Sequence, residues 1–125
     1  MKVAVCAKND LGINSPVDDR FGRAEYYAIF DSEKQATVML ENTAKNDAAG
    51  AGGKAISLLN KQGVNVIVVP ELGPKALDAV KAFELEVYHI DDSKTVGEAL
   101  NAFLAEKLTK LAGPSVSSHN RLRQV

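Results

Sequence analysis

The chain has 125 residues, 46% of them hydrophobic and 25% charged, the composition of one folded domain that buries its core without metal or disulfide. Fifteen Lys and Arg against sixteen Asp and Glu leave a net charge of −1, which argues against a nucleic-acid-binding face. A lone cysteine rules out a disulfide framework or zinc ribbon, and no apolar run approaches a membrane span.

Val3-Ala-Val-Cys-Ala7 is a nearly continuous apolar run, the pattern of a strand buried on both faces. Residues 9–23 hold turn formers and read as a long loop. Ala24–Phe30 and Gln35–Leu40 are the arms of a hairpin turning at Asp31-Ser-Glu-Lys34. Residues 42–53 form a second long loop ending in Ala48-Ala-Gly-Ala-Gly-Gly53. A helix is predicted from Lys54 to Gln62, stopped by Gly63. The strand Val64–Val69, a helix opening at Pro74, and the strand Leu85–Ile90 follow. Thr95-Val-Gly-Glu98 is a capping-box pattern for a last helix reaching about Leu108.

This order predicts an α/β domain over residues 1–110. Its five-stranded mixed sheet has the order 3-2-1-4-5, with strand 2 antiparallel to its neighbours and helices on both faces. Lys107, Lys110, Arg121 and Arg123 give residues 107–125 a charge of +4, leaving −5 for the rest. Residues 111–125, with a Gly-Pro break and no apolar period, read as a flexible basic tail.

Ligands of open α/β sheets bind beyond the carboxyl ends of the parallel strands. That rim includes Cys6-Ala7-Lys8, Pro70-Glu71-Leu72-Gly73 and His89-Ile90-Asp91. Gly50, Gly52 and Gly53 open a helix, where free amides and the dipole attract anions. Arg20 and Arg23 flank Phe21-Gly22, and guanidinium forks hold oxyanions in two-point geometry. Together these residues predict an anion site, with Phe21 anchoring the loop and Leu72-Gly73 shaping the wall.

Two motifs fail. Gly50-x-Gly52-x-x-Ala55 lacks the tight strand-to-helix turn of a dinucleotide fingerprint, and Gly53-Lys54-Ala55 has no hydroxyl for a P-loop magnesium. Cys6 is a buried strand residue or a thiolate ligand. His89 in a strand and His119 in the tail share no metal-site spacing with it. Glu71, Asp91 and Asp92 provide an alternative: a metal-dependent hydrolase or nuclease. A further alternative is an interaction module pairing through the edge strand Gln35–Leu40.

Several segments carry a resemblance: Met1-Lys-Val-Ala-Val5, Ser15-Pro-Val17, Phe21-Gly-Arg-Ala24, Gly50-Ala-Gly-Gly53, Gly63-Val64, Leu72-Gly-Pro-Lys-Ala76, Val87-Tyr88 and Thr95-Val-Gly-Glu-Ala-Leu100. In this order they resemble the dinitrogenase iron–molybdenum cofactor biosynthesis family, which includes nitrogenase accessory and orange-protein-like members. The likeness implies a ribonuclease-H-like three-layer fold. It also implies a non-catalytic cytoplasmic carrier or chaperone of an iron–molybdenum or other Mo/Fe–sulfur cluster. Cluster donor and acceptor proteins would be its partners, with no nucleic acid or membrane, and the chain would be a monomer or weak homodimer. The family often has His before Phe-Gly-Arg, where this chain has Arg20. Arg has no free lone pair for a metal, so either Cys6 takes over ligation, or the cluster is held electrostatically, or this member binds no cluster.

Overall fold

The computed structural model describes residues 1–47 and 50–113. Ala48, Ala49 and the basic segment with His119, Arg121 and Arg123 lie outside the described residues. Strand β1 is Lys2–Ala7 and a short 3-10 helix follows at Gly12–Asn14. The hairpin is β2, Tyr26–Asp31, and β3, Ala36–Glu41. Helix α1 (Ala51–Lys61), β4 (Val66–Val69), α2 (Pro74–Ala82), β5 (Glu86–His89) and α3 (Val96–Leu104) alternate, and β6 is Lys110–Ala112.

The sheet order is β3-β2-β1-β4-β5-β6. β1, β4 and β5 are parallel, and β2 runs antiparallel to β1 and β3, as the sequence predicts. The expected five strands become six. β6 pairs antiparallel with β5 and takes in Leu111 and Ala112, which sequence reading left in the tail. Three residues before a Gly-Pro carry no period-2 signal of their own, and the open edge of β5 supplies the order.

Alternation in the central strands divides the core into two layers. Ala4, Cys6, Tyr27, Ile29, Ile67, Val69 and Val87 face α1 and α2 through Ala55, Ile56, Leu59, Ala76 and Val80. Val3, Val5, Ala28, Val66, Val68 and Tyr88 face α3 through Val96, Ala99, Leu100 and Phe103. Helices therefore cover both faces, two on one side and one on the other.

The helix ends carry local signals. Gly63, at φ +79°, follows α1; its amide bonds Asn60 O, and that of Val64 bonds Leu59 O, a Schellman stop. The capping box of α3 forms with a shift: Thr95 Oγ1 accepts from the Glu98 amide, while the Glu98 carboxylate accepts from Lys94 rather than Thr95. α3 ends at Leu104, short of the expected Leu108, because Glu106 adopts φ +59° and its amide bonds Phe103 O.

Candidate functional site

α1 begins at Ala51, earlier than its glycines suggest. Gly50 stands before it in the left-handed region at φ +73°. The Lys54 amide bonds Gly50 O, so the amides of Ala51, Gly52 and Gly53 precede the first intrahelical bond. α2 opens at Pro74 behind Gly73, and its first intrahelical bond is from Leu77 to Gly73 O. Neither helix has a side-chain cap or an acid in its first turn. α3, by contrast, has both.

The two uncapped N-termini face one pocket of about 530 Å³, lined by Phe21, Gly22, Arg23, Gly50–Gly53 and Glu71–Ala76. It lies past the carboxyl end of β4, where the sheet topology places ligands, and its size is that of a small-molecule site. Arg23 and Lys75 bring positive charge and Glu71 brings one negative charge. The helix dipoles add partial positive charge at both ends.

A buried polar network fixes the loop along one wall. Tyr27 Oη donates to Phe21 O at 2.5 Å. The Asn42 amide donates to Gly22 O and Ala24 O, each at 2.9 Å, and contacts Tyr27 Oη at 3.2 Å. Phe21 is buried with its ring centroid 5.5 Å from that of Tyr27, so it anchors the loop as expected while also lining the pocket. Arg23 Nη1 donates to Lys45 O at 2.8 Å, which uses one of its five donors.

The glycines divide by role. A Cβ on Gly22 would stand 2.7 Å from Gly52 N, and one on Gly52 would stand 3.0 Å from Ala76 Cβ. These two permit the close packing of loop, α1 and α2. A Cβ on Gly53 or Gly73 meets nothing within 4 Å, and neither residue has positive φ. Neither packing nor backbone geometry demands glycine at these two positions. Both line the pocket, where a side chain would take up space open to a guest.

Arg20 stands apart from this group. Its guanidinium pairs with Asp18 at 3.3 Å, is 56% exposed, and is absent from the pocket lining. Asp18 is fully buried and also accepts from the amides of Arg20 and Glu25. Hydrogen bonding to Asp18, then its charge, raises the Arg20 pKa. The expected pair of guanidiniums is therefore divided: Arg23 serves the pocket and Arg20 neutralises a buried carboxylate. Lys75, missed in the sequence reading, supplies the second cation; its signal was its place just inside a Pro-started helix.

Cys6 is 1% exposed, faces the α1–α2 core, and does not line the pocket. Burial, then the charge of Asp18, pushes its thiol far above the usual range, and its place in the core sets it apart from the pocket residues it was expected to join. Among the described residues no group of three or more His, Cys, Asp and Glu is placed to hold a metal ion. Asp91 is committed elsewhere, to His89 Nδ1 at 2.9 Å and to Thr109. The carboxylates Glu71, Asp91 and Asp92 therefore form no metal-holding group. The pocket lining offers Arg23, Lys75 and backbone amides, beside the single carboxylate of Glu71.

Residues 1–106 match the family described as dinitrogenase iron-molybdenum cofactor. An uncharacterised protein of Methanocaldococcus jannaschii is 34% identical over 100 residues, covering 78% of this chain and 84% of that protein. The apo form of the orange protein of Desulfovibrio gigas superposes with a TM-score of 0.83 at 32% identity, covering 91% of this chain and 95% of that one. A NifB-like Thermotoga protein superposes with a TM-score of 0.78 at 34% identity, covering 91% and 96%.

Proposed function

The chain belongs to the dinitrogenase iron-molybdenum cofactor family, and from that membership we propose that it is a non-catalytic carrier of an anionic metal–sulfur cluster or its precursor. The cargo is an iron–molybdenum or related Mo/Fe–sulfur species, taken from a donor protein and passed to an acceptor in metallocofactor assembly. We read the three layers as ribonuclease-H-like and the setting as cytoplasmic; no described helix is long and apolar enough to cross a membrane.

One observation carries this reading: two helix N-termini without caps or acids converge with Arg23 and Lys75 on a pocket walled by Gly53 and Gly73. Such a pocket favours a bulky anion. Its positive groups neutralise the cargo's charge, and the bare glycines let sulfide or oxo edges approach the backbone. Holding cargo without a covalent bond allows transfer by dissociation alone.

Anaerobic reconstitution with iron, sulfide and molybdate, followed by visible absorption and metal analysis, tests the proposal. Wild type is expected to retain a coloured, metal-containing species that Arg23→Ala with Lys75→Ala does not. Equal metal in both proteins would refute it.

A further inference from the structure

The sheet has two edges, and they are built differently. β6 is three residues long, carries Lys110, and has a register irregularity against β5 at Val87/Tyr88. Short length, a bulge and a lysine all discourage strand addition. β3 is six residues long, pairs with β2 in unbroken register, and holds no charge or proline from Ala36 to Leu40. Val38, at its centre, is 64% exposed.

The hydrogen bonds fix which way this edge points. The Asn42 backbone N–H donates to Glu25 O, so bonded pairs recur at Tyr27–Leu40, Ile29–Val38 and Asp31–Ala36 in the β2–β3 register. The N–H and C=O groups of Ala36, Val38 and Leu40 therefore turn toward β2. Those of Thr37 and Met39 point outward.

We propose that β3 pairs antiparallel with β3 of a second copy, about a two-fold axis at Val38. This register is self-complementary. Thr37 of each copy exchanges two backbone bonds with Met39 of the other, giving four in all. On the α1 side of the sheet, Val38 faces Val38 and Ala36 faces Leu40. Glu41, the strand's charged residue, comes opposite Gln35 and beside Lys34 of the second copy, so no like charges meet. The two sheets then join into one of twelve strands, twice the six of a single chain. The cargo pocket, on the carboxyl side of β4, is not part of this edge, so dimerisation does not depend on cargo.

Sedimentation equilibrium of the full chain over a wide concentration range gives the first test. The mass is expected to rise from 13.4 kDa toward twice that value. Val38→Lys is expected to weaken association about tenfold or more with an unchanged circular dichroism spectrum. Val38→Cys under mild oxidation is expected to give a disulfide-linked dimer, since facing non-bonded residues lie within disulfide range. Leu104→Cys, exposed on α3, serves as the control and is expected to stay monomeric; buried Cys6 does not interfere. A wild type monomeric up to millimolar concentration would overturn the proposal. So would a dimer indifferent to Val38→Lys, or equal cross-linking of the two cysteine variants.

Discussion

Gly22 lies directly against the backbone of Gly52: a Cβ on Gly22 would stand 2.7 Å from the Gly52 nitrogen and 2.8 Å from its Cα. This contact presses the Phe21–Arg23 loop onto the first turn of α1 and closes one wall of the pocket. Gly22→Ala is expected to cost roughly 1–3 kcal/mol, because backbone must shift to admit the methyl group. Gly53→Ala meets open space and removes a helical glycine, so it is expected to be neutral or stabilising by up to about 1 kcal/mol. Urea denaturation distinguishes the two. Gly53→Ala nonetheless reduces cargo uptake, because its methyl group takes space from the guest.

Asn42 holds the same loop from beneath. Asn42→Ala leaves Gly22 O and Ala24 O without the amide that now serves both. Unpaired buried carbonyls cost about 1–3 kcal/mol each. The expected result is a lower melting temperature together with weaker cargo retention, measured on one protein by calorimetry and metal analysis. Unchanged retention in the folded variant would separate the loop from the site.

The two arginines are expected to behave differently. Arg20→Ala removes the ion pair to buried Asp18 and lowers stability, while cargo affinity changes by less than about twofold, because its exposed guanidinium is paired with Asp18, is screened by solvent and is absent from the pocket lining. Arg23→Ala and Lys75→Ala leave stability nearly unchanged and weaken binding in a salt-dependent way. Binding titrations at two ionic strengths check this.

Stability is expected to fall at alkaline pH. Burial holds Cys6 and Tyr27 protonated well above their ordinary values of 9.0 and 10.0, and burial with the Glu86 charge pushes Tyr88 up to about 12. Each group is raised in the fold, so its contribution is complete below the unfolded pKa and is lost as pH rises above it. Denaturation midpoints should stay level with respect to these groups up to about pH 9 and decline beyond it. Cys6→Ala should move the onset into the tyrosine range.

Much of this architecture is legible from residue pattern. The apolar runs of β1 and β4 identify central strands, and Gly63 marks the end of α1 through its left-handed geometry. The early start of α1 is hidden because Gly52 and Gly53 are poor helix formers; contact with Gly22 and Ala76 holds that turn. The end of α3 is hidden because Glu106 takes a left-handed conformation that glycine usually fills. In the site, the Phe21 anchor and the glycine wall follow from sequence. Which guanidinium reaches the pocket does not, because the buried carboxylate of Asp18 claims Arg20 while Arg23 bonds Lys45 O, and both partners are set by tertiary packing.

The most direct measurement is an anaerobic titration with tetrathiomolybdate, with bound molybdenum determined after equilibrium dialysis. A single saturable site is expected in the wild type. It should persist in Cys6→Ala and Arg20→Ala and be lost in Arg23→Ala with Lys75→Ala and in Gly73→Val. Retained binding in both pocket variants, or its loss in Cys6→Ala, would contradict an electrostatic cradle between α1 and α2.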